Sequence, residues 1–172
     1  MNLSDNIYLV GLMGAGKTTV GKMLAKQTGK AFYDSDQEIK NKTGVSIAHI
    51  FEVEGEAGFR TRESAALKEL TQLHDIVLAT GGGAVLAEQN RSMLKKNGVV
   101  IYLRASVDDL WTRTRHDKNR PLLQTEDPRA KLSDLFEVRD PLYREVADIV
   151  VDTSKQSVNS LTRHILQLLE RP

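Results

Sequence analysis

Apolar and polar positions along the chain fall into two alternating patterns. Short aliphatic and β-branched runs occupy positions 7–10, 31–33, 76–79, 99–103 and 149–151, and longer segments with helical spacing lie between them. Continuous apolar runs suit strands covered on both faces, so the alternation predicts the α/β class: a five-stranded parallel sheet flanked by helices. A helix over 17–27 opens at a glycine loop, and Ser106 with Asp109 reads as a capping box before Leu110 and Trp111. Leu94 to Asn97 followed by Gly98 reads as a basic helix end with a glycine stop. Val158, Leu161, Ile165, Leu168 and Leu169 share one helical face, so the chain is expected to close with an amphipathic helix packed on the sheet. Segment 116–128 follows neither period, holds prolines and polar residues, and reads as a mobile surface loop.

Composition narrows the picture mainly by exclusion. A chain of 172 residues, 40% hydrophobic and 27% charged, is a single globular domain over 1–172 and neither disordered nor fibrous. No run reaches the roughly 18 residues of a membrane span, and the first ten residues lack a basic n-region, so a cytoplasmic protein without a targeting segment is expected. Zero cysteines exclude disulfides, thiolate catalysis and cysteine-bearing metal centres, and His49, His74, His116 and His164 lack metal-ligand spacing. A net charge of +1 argues against a nucleic-acid coat, so neither nucleic acid nor membrane is an expected partner, and a monomer is expected. Charge is nevertheless uneven. Segment 111–121 carries Arg113, Arg115, Lys118 and Arg120 against Asp117 alone.

The strongest local signal is Gly11-Leu12-Met13-Gly14-Ala15-Gly16-Lys17-Thr18, which satisfies G-x-x-x-x-G-K-[ST] between a strand and a helix. Glycines let backbone N–H groups turn toward phosphate oxygens, and the following helix offers its positive end to the same anion. Gly14, Ala15, Gly16, Lys17, Thr18 and Thr19 are therefore expected to hold a nucleoside triphosphate, with Lys17 on the β- and γ-phosphates and the Thr18 hydroxyl on Mg²⁺. The alternative is a glycine turn that binds nothing. A guanine switch is disfavoured because Asn41-Lys42-Thr43-Gly44 lacks the aspartate of N-K-x-D, and the third strand runs into Thr80 and glycines where a P-loop ATPase would place an acid.

Past the second strand stands Asp34-Ser35-Asp36. Strand ends in such sheets face the ligand crevice, and alternation along an extended segment puts both carboxylates on one side, one for a metal's water shell and one for a substrate hydroxyl. Standing alone, Asp36 could equally cap a helix beginning at Gln37. Gly81-Gly82-Gly83 after the third strand suggests backbone close to a ligand, or else a loose turn. Arg60 and Arg139 are each either functional or ordinary solvated arginines. Trp111 reads either as core or as a shield for a lid hinge.

Taken in order, the phosphate loop, Asp34-Ser35-Asp36, Gly58-Phe59-Arg60, Gly81-Gly82-Gly83, Arg120-Pro121-Leu122-Leu123 and Arg139-Asp140-Pro141-Leu142-Tyr143 resemble the shikimate kinases over nearly the whole chain. The resemblance implies a P-loop fold of the nucleoside-monophosphate-kinase type, with a substrate subdomain at about 34–62 and a lid at about 112–128. It implies transfer of the ATP γ-phosphoryl group to the 3-hydroxyl of shikimate. Asp36 would contact the accepting hydroxyl as base, and Asp34 would hold Mg²⁺ through water together with Thr18. Arg60 and Arg139 would clamp the carboxylate, and Gly81, Gly82 and Gly83 would meet the ring hydroxyls. Arg120 would reach the phosphates from the lid, while Arg113 and Gln156 would border adenine. A gluconate or nucleotide kinase of the same fold would keep the loop and lid but need not keep Arg60, the triplet and Arg139 together. A non-catalytic P-loop switch or nucleic-acid module would instead use segment 111–121 as a phosphate-backbone footprint.

Overall fold

Five strands carry the fold: β1 (Asn6–Val10), β2 (Ala31–Asp34), β3 (Ile76–Ala79), β4 (Gly98–Arg104) and β5 (Ile149–Asp152). They form one parallel sheet in the order β2-β3-β1-β4-β5. The computed structural model describes residues 5–117 and 120–171, so the expectations for Lys118 and for the first four residues lie outside the described residues. Leu9 pairs with both Ala79 and Ile101, and Ala79 with Asp34, so the carboxyl ends of the first four strands align along one edge. β1 is central, with connections leaving to either side, and this reversal of strand order opens a crevice at that edge.

The helices are α1 (Lys17–Thr28), α2 (Ser35–Thr43), α3 (Ile47–Leu70), α4 (Glu88–Asn97), α5 (Val107–Thr114), α6 (Pro128–Val146) and α7 (Val158–Glu170). The main core joins β1, β3 and β4, whose aliphatic side chains are almost wholly buried, to the inner faces of the helices; α7 contributes Leu161, Ile165 and Leu169. A second, smaller cluster of Ile39, Ile50, Phe59 and Ala66 joins α2 to α3 away from the sheet. Helix α3 breaks at Gly55, whose φ of 74° and ψ of 179° lie in a region open essentially to glycine. Among the described residues no helix is long and apolar enough to cross a membrane.

Four expectations change. The edge strand β5 is covered on one face only, because Ile149 and Val151 are buried while Val150 and Asp152 are exposed. Gly98 is no left-handed helix stop: its φ of −170° is extended and it opens β4, where a Cβ would stand 2.6 Å from the Tyr8 ring and 2.7 Å from Asn6 O. Ser106 does cap α5 through Asp109 N–H at 3.1 Å, but the Asp109 carboxylate accepts from Ser154 Oγ at 3.1 Å, tying the β5–α7 loop to α5. Segment 116–128 is not wholly irregular. It includes a 3₁₀ turn at Pro121–Leu123, and Leu123 is buried in the main core. Trp111, half-buried, packs on that core and also lines a cavity together with residues of the same segment.

Candidate active site

The loop between β1 and α1 is a phosphate cradle. Gly14 has a φ of 84°, and a Cβ there would lie 2.7 Å from Thr114 Cγ2, so no other residue fits. Gly16, also left-handed, caps α1 and supplies no side chain to its first N–H groups. Those donors and the helix dipole stay available to an anion. Lys17 is buried and donates to Gly11 O at 2.6 Å and Leu12 O at 3.0 Å. Burial lowers its ammonium to about 8 against the opposing pull of Asp36. Thr18 and Thr19 are exposed on the first turn of α1. Arg113, from the last turn of α5, donates to Gly14 O at 3.0 Å and so leans over the loop. Gln156 stands on the β5–α7 loop and donates to Asp152 O at 2.8 Å.

The two aspartates reach the crevice by a geometry different from the expected one. β2 ends at Asp34 and Ser35 is already helical, so Asp36 belongs to the first turn of α2 and not to an extended segment. Asp34, not Asp36, is the cap: its Oδ1 accepts from Asp36 N–H at 2.9 Å and Gln37 N–H at 3.3 Å. Its Oδ2 accepts from the Thr18 hydroxyl at 3.0 Å, which brings the two expected metal residues together. Among the described residues no cluster of three or more His, Cys, Asp or Glu could hold a metal. A divalent ion at the Thr18–Asp34 pair would complete its shell with water and phosphate oxygens, the habit of Mg²⁺.

Asp36 is half-buried, with Oδ1 wholly buried and without a partner. Burial raises its proton affinity, and the charge of Asp34 adds to this; Lys17, Arg120 and Arg60 oppose it. Arg120 is ion-paired to Asp117 at 2.9 Å and faces the same cavity.

The glycine triplet has a reason that the sequence alone does not reveal. None of the three has a positive φ. They are bare because charged side chains lie against them. A Cβ on Gly81 would stand 2.7 Å from Glu63 Oε2 and 2.8 Å from Asp36 Oδ1, one on Gly82 would stand 3.4 Å from Arg139 Nη1, and one on Gly83 would collide with the Arg60 guanidinium. The backbone is pinned too: Gly81 N–H donates to the buried Ser35 hydroxyl at 2.9 Å, and the Tyr143 hydroxyl donates to Gly82 O. The N–H groups of Gly82 and Gly83 have no partner among the described residues.

Sequence reasoning missed three residues here. Glu63 is fully buried on α3 and holds Arg60 at 2.9 Å, and burial raises its proton affinity. Its position one turn beyond Arg60 was the available signal. Ser35 and Tyr143 lie inside quoted motifs, but their partners are 46 and 61 residues away. Burial pushes the Tyr143 phenol up, so it remains a protonated donor over the working pH range.

Asp34, Asp36, Arg60, Glu63, the triplet, Arg120 and Arg139 line one cavity of about 400 Å³, with Phe51 and Phe59 forming an apolar wall. Four side-chain atoms on it are buried without hydrogen-bond partners: Asp36 Oδ1, Arg60 Nε, Glu63 Oε2 and Arg139 Nη1. Buried polar groups normally find partners, so acceptors and donors left open together describe a polar ligand. Arg139 is 2% exposed, so an unpartnered Nη1 there costs free energy that a bound acceptor would recover. The phosphate loop borders the cavity through Met13.

The sequence profile of shikimate kinase matches residues 13–170. A shikimate kinase of Chromobacterium violaceum is 63% identical over 171 residues, covering 99% of this chain and 93% of that protein. The solved structure of shikimate kinase from Acinetobacter baumannii in complex with shikimate superposes with a TM-score of 0.94 at 56% identity, covering 96% of this chain and 92% of that one. A gluconokinase from Sinorhizobium meliloti shares the fold alone, with a TM-score of 0.60 at 18% identity over 98% of this chain and 93% of its own. A phosphate cradle, a cavity armed with arginines and carboxylates, and this near full-length likeness place the chain in the shikimate kinase family.

Proposed function

We infer that the protein transfers the γ-phosphoryl group of ATP to the 3-hydroxyl of shikimate, giving shikimate 3-phosphate and ADP. The observation that carries this is the set of four unpartnered buried atoms around one cavity. Shikimate is a small, rigid polyol acid. Its carboxylate suits the forks of Arg60 and Arg139, and its hydroxyls suit Asp36, Glu63 and the open N–H groups of Gly82 and Gly83.

Lys17 and the N-terminus of α1 hold the β- and γ-phosphates, Arg120 adds charge from the lid, and Arg113 and Gln156 flank the nucleoside. Thr18 and Asp34 would hold Mg²⁺, which when bound would neutralise phosphate charge. Asp36 accepts the hydrogen bond of the attacking hydroxyl and, with its raised proton affinity, takes its proton as the bond to phosphorus forms. Segment 34–62 is the substrate subdomain and 112–128 the lid, which excludes water from the transferring group.

The test is coupled ADP release with shikimate set beside gluconate, other hydroxy acids, sugars and nucleosides. Turnover on shikimate alone is expected. Turnover on another acceptor without shikimate would transfer the assignment to a different kinase of this fold, and ADP release independent of any acceptor would favour an ATPase or switch.

A further inference from the structure

Three consecutive glycines are free to rotate, so a site that depends on their peptide planes needs something to hold them. Ser35 holds Gly81. The remaining restraint comes from α6. Tyr143 is wholly buried, with its ring 4.9 Å from that of Tyr102, yet its hydroxyl does not stay in the core: it donates to Gly82 O at the edge of the cavity. Arg139, one helical turn earlier, is near enough for its charge to act on the same phenol, and its Nη1 stands 3.4 Å from where a Gly82 Cβ would be. Arg139 and the Tyr143 hydroxyl thus approach the Gly82 peptide side by side from one helix.

We propose that Tyr143 is a positioning residue for the acceptor substrate, locking the Gly82–Gly83 peptide plane beside Arg139. Gly82 C=O and Gly83 N–H belong to the same peptide unit. Donation to the carbonyl fixes that plane and polarises the N–H, which is left unpartnered and available to the substrate. The Arg139 charge strengthens the phenol as a donor in turn. A phenylalanine at 143 would fill the core as well, so packing does not account for the hydroxyl. Tyr102 makes the contrast clear. Its hydroxyl donates to Asp140 Oδ1 at 2.7 Å, and Asp140 is also held by Arg104 at 3.1 Å and Arg144 at 3.0 Å, an anchor that does not touch the triplet.

The proposal rests on the carboxylate clamp of the inferred function, so Arg139→Lys is measured alongside Tyr143→Phe and Tyr102→Phe, with both substrate KM values, kcat and the thermal midpoint for each. Tyr143→Phe is expected to raise the KM for shikimate about three- to tenfold. The KM for ATP should stay within about twofold of the parent, because no ATP contact is lost. Tyr102→Phe, which removes the neighbouring hydroxyl, should leave both KM values in place while lowering the thermal midpoint. An unchanged shikimate KM in Tyr143→Phe overturns the proposal, and so does an equal rise in Tyr102→Phe, which would reveal a general loosening of α6. If Arg139→Lys itself leaves the shikimate KM unmoved, the clamp fails and takes the proposal with it. If Arg139→Lys raises that KM and Tyr143→Phe does not, only the role of Tyr143 is lost.

Discussion

Arg139→Met offers the sharpest test, because binding and stability should part company. Arg139 is 2% exposed and its Nη1 has no hydrogen-bond partner among the described residues, so the protein carries a buried, unpaired donor at the cavity. Methionine matches its length and removes that donor. An unpaired buried charge is costly to desolvate, so its removal is expected to stabilise the fold. Part of that gain is offset, since the Arg139 charge also moderates the buried Glu63 carboxyl. The expected net is close to zero or modestly positive, which in a chain of this size leaves the thermal midpoint level or raises it by about 2–4 °C. Binding should move strongly the other way. A hydrogen bond to a charged group contributes about 1.5–3 kcal/mol, so losing one to the shikimate carboxylate raises its KM by about 10- to 150-fold. Steady-state kinetics with each substrate varied, beside scanning calorimetry without ligand, reads both quantities. A fall in midpoint of more than about 5 °C with an unchanged shikimate KM would make Arg139 a structural residue and refute the reasoning.

Asp36→Asn is expected to keep ATP affinity while turnover falls about 10²- to 10⁴-fold in single-turnover assays, and near-parent turnover would remove Asp36 as base. Lys17 should give opposite pH trends. Its folded value of about 8 lies below the ordinary 10.5, so between these pH values the unfolded chain holds the extra proton. Its contribution to stability therefore rises with pH while ATP affinity falls as the ammonium discharges, and Lys17→Met should abolish both trends. Gly83→Ala is expected to displace the Arg60 guanidinium, a flexible end, so that the fold persists and the shikimate KM rises with the ATP KM unmoved; parent kinetics would mean that Arg60 does not contact the acceptor. Arg120→Ala should lower kcat with the thermal midpoint intact, and a parent kcat would reduce Arg120 to a partner of Asp117.

Much of this protein was legible one neighbourhood at a time. The strands, the phosphate loop, the carboxylate pair and the closing amphipathic helix depend on residues within a turn or a strand of one another, and hydrophobic period with local hydrogen-bonding chemistry suffices to mark them. The residues of the candidate site were visible for the same reason, since phosphate cradles and arginine forks use recognisable side chains in short motifs. What escaped was everything set by the meeting of distant segments. Helix α2 begins one residue after Asp34, so the cap and the open carboxylate exchanged expected places. The glycine triplet is bare because Asp36, Glu63, Arg60 and Arg139, from three different helices, converge on it, and no run of neighbouring letters records that crowding. Ser35, Glu63 and Tyr143 gain their roles only when β3 is laid beside β2 and α3 and α6 bring their side chains to the loop after β3. Local pattern specifies which elements form; the order β2-β3-β1-β4-β5 decides which buried charges are left facing one another, because desolvation and hydrogen-bond satisfaction are properties of the packed whole.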